Sequence, residues 1–414
     1  MLDVNRMKSS GSFLNVRPDP IVATTGKERG FALFASGFIV YLLHMLFPMS
    51  AIGEFATAAA GALAMLCSAF IFRPSMRKMD PIAVLLVARA VWLSLVNLVV
   101  GGGLDYFANG AYFSAIVSIF VYVGCRSYSA DGRSSSLMTT GMLILFVVVF
   151  AQTLFYYIQL GSFGDFRTSK YMISIPFGDS NAIAMGYIAV GLYLVYTLKT
   201  RLQRGIVIVL MIVGSVLLAS TGSLVSLGLI ATCLALGSFD PNKRLSHVTL
   251  LLGCFVFIAL TVIVVNITQG GSVAALFAST IEKIEEFLSG NFASASTNRT
   301  YIYIHYFDLF CDSPVVGYGT APVNAVWGVV ESYRPHNWVL EALNQGGFAN
   351  LFFFTAACVL GFKNSRRDGF SRACCILAAY LLINSFFEPG VFGINKDFLL
   401  WCALGFSAGR GVRS

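Results

Sequence analysis

The run RPHNWVLEAL (334–343) holds the residue types best suited to acid–base chemistry, with Arg334 and Pro335 leading into His336 and Asn337. An imidazole with an ordinary pKa of about 6.5 is the natural proton acceptor at neutral pH. Pro335 keeps Arg334 extended and supplies a turn, so a helix starting just beyond would carry His336 and Asn337 at its mouth beside a guanidinium. A histidine anchoring a loop at a membrane interface accounts for the same residue equally well. The other three histidines offer less. His44 sits inside an apolar run, His247 in a basic loop, and His305 on a helix where a packed, hydrogen-bonded role is expected.

Arginines are the second chemical feature. A planar guanidinium stays charged and makes paired bonds to phosphate oxygens. Arg299 opens a stretch in which Arg299, Tyr303, Tyr306 and Phe310 recur at the spacing of one helix face, with Thr297 as a candidate N-cap. Asp312, Ser313 and Pro314 should end that helix, and Gly317 and Gly319 should make the turn after it. Arg167 and Lys170 lie in GSFGDFRTSKYMISIPFGDS (161–180), which leads to Asp179 and Asn181 at the mouth of the next apolar run. Asp179 and Ser180 read best as helix N-caps. Arg89 stands well inside an apolar run, at a cost of a few kcal/mol or more unless it faces a polar cavity or a partner. A cavity lined by Arg89, Arg167, Arg299 and Arg334 would hold a lipid-linked diphosphate with no metal. A loop salt bridge or a lipid headgroup contact explains each arginine taken alone as well.

The elements that must position these residues follow from composition. Of the 414 residues, 57% are hydrophobic and only 12% charged, whereas soluble domains carry about a quarter charged residues. The long uninterrupted apolar runs exclude the alternation of a β-barrel and imply an all-α polytopic membrane protein. About twelve transmembrane helices are expected, at 31–48, 51–72, 81–101, 107–125, 137–160, 180–198, 205–220, 222–238, 248–267, 346–362, 373–387 and 397–409. The domain organisation is then a tail at 1–30, helices 1–9 within 31–267, a large helical loop at 268–345 between helices 9 and 10, helices 10–12 within 346–409, and a tail at 410–414. With both tails inside, 21 of the 28 Lys and Arg fall in cytoplasmic segments, which satisfies the positive-inside rule. The formal charge of +8 therefore needs no nucleic-acid partner. The large loop, 161–180 and EPGVFGINKD (388–397) lie outside, with Arg167, Lys170, Lys283, Arg299, Arg334 and Lys396 as the only outer cations. The stretch 272–290 reads as an amphipathic helix along the interface or capping the bundle. Nine cysteines without CxxC spacing argue against a disulfide framework or a zinc site.

Taken in order, these features resemble the O-antigen ligase and polymerase superfamily. The resemblance is carried by the long outer loop late in the chain, the arginine opening a loop helix, and the P-x-x-G-x-G turn of Pro314, Gly317 and Gly319. It extends to the HN pair with Glu341, Leu343 and Gly347 behind it, to Asn181 in FGDSN, and to the short STGS turn at 220–223. Many members have an arginine directly after that turn, where this chain has Leu224. The resemblance implies an inner-membrane glycosyltransferase of the O-antigen ligase type, with its site on the periplasmic face and no cofactor or metal. Its donor would be an undecaprenyl-diphosphate-linked glycan and its acceptor the lipid A core, among membrane lipids. It assigns acceptor activation to His336 and the diphosphate to Arg299. Arg334 would assist His336, and Arg89, Arg167, Lys170, Asn181, Tyr303 and Asn337 would contact substrate. Polymerisation onto another lipid-linked repeat is the sister reaction. A secondary transporter would need inverted repeats with helices broken at midplane, and neither is legible.

Overall fold

The computed structural model describes residues 20–72, 80–101, 103–160, 173–218, 285–286, 289–290, 299–320, 335–366, 368–386 and 392–408. In chain order these form α1 (Pro20–Leu46), α2 (Ala51–Phe72), α3 (Pro81–Val99), the short α4 (Leu104–Phe107), α5 (Gly110–Tyr128) and α6 (Gly132–Leu160). A two-residue hairpin follows, β1 (Ser174–Ile175) with β2 (Gly178–Asp179), and then α7 (Ser180–Thr197) and α8 (Arg201–Leu217). The last elements are α9 (Arg299–Asp312), α10 (Trp338–Lys363), α11 (Gly369–Asn384) and α12 (Ile394–Ser407).

Ten of these helices fall on ten of the twelve expected spans; the segments at 222–238 and 248–267 lie outside the described residues. Seven of them are long and apolar enough to cross a membrane by composition alone. The chain is a helical, multi-pass membrane protein. α3 shows why in a single element. Val84, Val87, Val91, Leu95 and Leu98 form an exposed apolar stripe, while Ile82, Leu86, Arg89, Leu93 and Asn97 on the other side are buried. An oily exterior around an interior that holds polar groups is the pattern lipid selects.

Several boundaries depart from expectation, two of them at the ends of the bundle's terminal helices. α1 starts at Pro20, inside the expected tail, because proline is tolerated at a first helical position and nothing breaks the helix until Leu46. α12 starts at Ile394 rather than 397, which draws Lys396 and Asp397 into the bundle: they are 7% and 1% exposed. Lys396 is therefore not a free outer cation, and its Nζ lies 5.7 Å above the Phe177 ring.

α12 is buried from Lys396 to Ser407 and packs against α5, α10 and α11, so it forms a central post. α1 pairs with α2, α3 with α10, and α7 with α8 and α11. One end of the bundle collects cations. Arg126 bonds Asp80 at 3.1 Å, the Arg366 amide donates to the Ser407 carbonyl at 2.8 Å, and Arg133 lies 4.1 Å over the Phe31 ring. The opposite end carries α4, the β hairpin, α9 and the residues of chemical interest.

α1 and α2 touch through glycine. A Cβ at Gly37 would meet the Gly61 carbonyl at 2.6 Å, and one at Gly61 would meet the Gly37 carbonyl at 2.8 Å. Such small-residue crossings let helix backbones approach in the absence of a hydrophobic drive. Gly61→Val should force the pair apart and cost about 1–3 kcal/mol, read as a lower melting temperature of the purified protein in detergent. An unchanged melting point would show that the crossing does not hold the helices together.

Candidate active site

α10 is two helices in one line of sequence. It runs from Trp338 to Gln345, breaks at Gly346 (φ −161°, ψ 28°) and Gly347 (φ 61°, ψ −161°), and resumes from Phe348 to Lys363. The apolar span expected at 346–362 is its second half. The first half is a short segment at the end of the bundle opposite the cation cluster, capped by the HN pair. Asn337 is its N-cap, with Oδ1 accepting from the Val339 and Leu340 amides at 2.9 and 3.3 Å. Asn337 was expected to contact substrate; its carbonyl oxygen is committed to the helix.

His336, half-buried just before the cap, has φ 46°, the only positive φ of a non-glycine residue among those described. That conformation costs on the order of 1–3 kcal/mol and persists only where the surroundings impose it. Here they do so from two sides. The Tyr303 hydroxyl on α9 reaches the His336 carbonyl at 3.3 Å and the Phe386 carbonyl at 3.4 Å. The Trp338 amide donates to the Ser385 carbonyl at the end of α11 at 2.9 Å, and the Trp338 ring packs on Phe354 and Phe386. Pro335 is buried beneath the turn.

Arg299 is the first residue of α9, one turn before Tyr303, so the helix that bears the arginine is the one that touches the histidine backbone. α9 ends at Asp312 as expected, with Tyr306 and Phe310 buried. Gly317 and Gly319 have φ of 68° and 80°, as the expected turn requires. The turn docks into the break in α10. The Tyr318 amide donates to the Asn344 carbonyl at 2.7 Å and the Phe348 amide to the Pro314 carbonyl at 3.0 Å. Asn344 in turn donates to the Tyr306 carbonyl at 2.9 Å. Beyond it, the Thr320 amide donates to Asn97 Oδ1 on α3 at 2.9 Å.

The remaining expected residues separate into three groups. Arg334, Arg167 and Lys170 lie outside the described residues. Asn181 is half-buried in the first turn of α7, next to Asp179, whose side chain accepts from the Ala182 amide at 2.8 Å as the N-cap. Arg89 is wholly buried between α3 and α10 rather than open to the outer face. Its Nε donates to Asn350 Oδ1 at 3.0 Å, and its Cζ lies 4.7 Å from the Phe392 ring and 5.1 Å from that of Phe354. Asp397, also buried in the bundle, accepts a hydrogen bond from the Ser114 hydroxyl.

Sequence reasoning passed over Asp397, Asn350, Trp92 and Asn97. The available signal was a polar side chain inside an apolar run, strongest for Arg89 and Asn97, both buried on α3. Among the described residues no cluster of three or more metal-ligating side chains occurs.

Residues 206–355 match the O-antigen ligase family. The matched stretch includes α8, α9, the docking turn and the break in α10, and with them Arg299, Tyr303, Arg334, His336 and Asn337; Arg89, Arg167, Lys170 and Asn181 precede it. No curated protein matches the chain.

Gly347 is held at positive φ, and a Cβ there would lie 2.1 Å from the Val315 carbonyl oxygen. Gly347→Ala should therefore displace the turn from the break, with a cost of at least about 1–3 kcal/mol. A lowered melting temperature together with protease cleavage within 313–320 is the expected result. Wild-type behaviour in both assays would show that the turn does not dock there.

Proposed function

We propose that this O-antigen ligase-type membrane protein transfers a glycan from a polyprenyl-diphosphate carrier to an acceptor hydroxyl at the outer end of its bundle. The observation that carries the reading is the pairing of α9, led by Arg299, with a His336 held in a strained backbone conformation at the mouth of a broken helix, all within the matched stretch. The clustering of cations at the opposite end supports a cytoplasmic assignment for that end and an outer, periplasmic assignment for the site. Outside the cytoplasm, nucleotide sugars and ATP are absent, and a lipid-linked diphosphate is the available activated donor.

In this mechanism His336 accepts the proton of the acceptor hydroxyl as its oxygen attacks the anomeric carbon. The bond from that carbon to the diphosphate oxygen breaks with inversion, and the leaving diphosphate takes the electron pair. Arg299 and Arg167 stabilise the developing charge, and Arg334 orients His336. Lys170, Asn181 and Tyr303 line the approach. Ligation of an undecaprenyl-linked O-antigen to a lipid A-core sugar in the bacterial inner membrane is the preferred version. Polymerisation onto a second lipid-linked repeat uses the same chemistry.

His336→Ala should lower transfer by about 10²–10⁴-fold while expression and melting temperature stay near wild type. Wild-type rates in that variant would remove His336 from the mechanism. Transfer should also be unaffected by EDTA; a loss restored by Mg²⁺ would sink the assignment of charge stabilisation to arginine. The lipopolysaccharide of a deletion strain separates the two versions. Long glycan left on the carrier lipid identifies a ligase, and single-repeat lipopolysaccharide identifies a polymerase.

A further inference from the structure

Arg89 is expected to grip the diphosphate, yet it is enclosed by protein on all sides. What it touches is the break in α10. A break inside a bundle frees carbonyls that must find new donors; α3 supplies one directly and orients a second. The Trp92 indole donates directly to the Gly346 carbonyl at 2.7 Å. Arg89, one turn earlier on α3, holds Asn350 by its Oδ1, and the Nδ2 of Asn350 donates back across the break to the Ala342 carbonyl at 2.9 Å. Asn350 is itself fully buried and so cannot turn to solvent. Leu93 packs against Gly346, where a Cβ would come within 3.0 Å of its Cδ2. The two ends of Asn350 are thus fixed in one orientation, because an amide that accepts from Arg89 must present its NH2 to Ala342.

Taking the glycosyl-transfer reading of His336 as its premise, we propose that Arg89 is a positioning residue. Acting through Asn350, and in parallel with Trp92, it fixes the first half of α10 and thereby the place of His336, and it does not bind the diphosphate. The faces of Phe354 and Phe392 give the guanidinium favourable contacts inside the bundle.

The test uses the full chain in detergent, with a lipid-diphosphate-linked glycan and an acceptor, and compares Arg89→Gln, Asn350→Ala, the double variant and Trp92→Phe. Each single change should lower kcat by about 100-fold, the scale of an ångström-sized misplacement. Donor KM and binding of a sugar-free polyprenyl diphosphate should stay within about twofold of wild type. The double variant should be no worse than either single one, since both act through one link. Amide hydrogen exchange should rise at least about tenfold over 338–347 while 398–406 keeps wild-type protection; a general loss of stability would raise both. If Arg89→Gln does not fold, Asn350→Asp, which keeps the acceptor for Arg89 and loses the donor to Ala342, and Trp92→Phe carry the same expectations. A raised donor KM or lost diphosphate binding in Arg89→Gln alone, or additive losses in the double variant, would overturn the inference. Wild-type chain that neither transfers glycan nor binds polyprenyl diphosphate would instead sink the glycosyl-transfer reading, and the exchange data would still decide whether Arg89 holds the half-helix.

Discussion

Peptide groups cannot be left bare inside a membrane bundle, and the break in α10 is where that constraint bites hardest. Two glycines interrupt the i to i−4 ladder, and the freed groups are satisfied from three directions. Trp92 and Asn350 serve the Gly346 and Ala342 carbonyls, while Tyr318 and Pro314 of the docked turn serve Asn344 and Phe348. The partners come from α3, from the 314–320 turn and from the second half of α10 itself. These three segments therefore hold one geometry together at the break.

The interior of this protein sets polar and charged groups into a large apolar core. Arg89, Asn350, Glu341, Asp397 and Lys396 are all buried, while α3 turns Val84, Val87, Val91, Leu95 and Leu98 outward. Asp397 accepts a hydrogen bond from the Ser114 hydroxyl, and Arg89 donates from its Nε to Asn350. The aromatic rings around Arg89 add favourable quadrupole contacts that no aliphatic wall would supply. α12 brings Asp397 into this interior, so the central post of the fold also carries a buried carboxyl group.

What the sequence revealed follows from the range of the forces involved. Apolar runs report burial in lipid residue by residue, so the spans were legible, as were the Gly317–Gly319 turn and the end of α9, which local geometry dictates. Asp179 as N-cap was legible for the same reason. The break in α10 was not, because Gly346 and Gly347 look like ordinary members of an apolar span until the turn is seen to fill the gap. Arg89 announced its cost but not its partner, since Asn350 lies far away in the chain. Lys396 and Asp397 were placed in a loop because charge at the edge of an apolar run reads as an end, and only the packing of α12 shows the helix starting earlier.

A helix N-terminus near a reacting diphosphate invites the idea that its free amides stabilise the leaving charge. In the first half of α10 those amides are already in use. The Trp338 amide bonds Ser385, the Val339 and Leu340 amides bond Asn337 Oδ1, and the Glu341 amide bonds the Asn337 carbonyl. The three amides of the first turn are thus satisfied within the protein, and the Glu341 amide makes the first ordinary bond of the helix ladder. An anion could recruit them only by undoing the cap that holds His336 in place. Charge stabilisation in the proposed transfer therefore falls to side-chain cations, and α9 brings Arg299 to the same end of the bundle by the helix whose Tyr303 fixes the His336 backbone. In the proposed transfer the cap would orient the proton acceptor and the arginine helix would serve the leaving group.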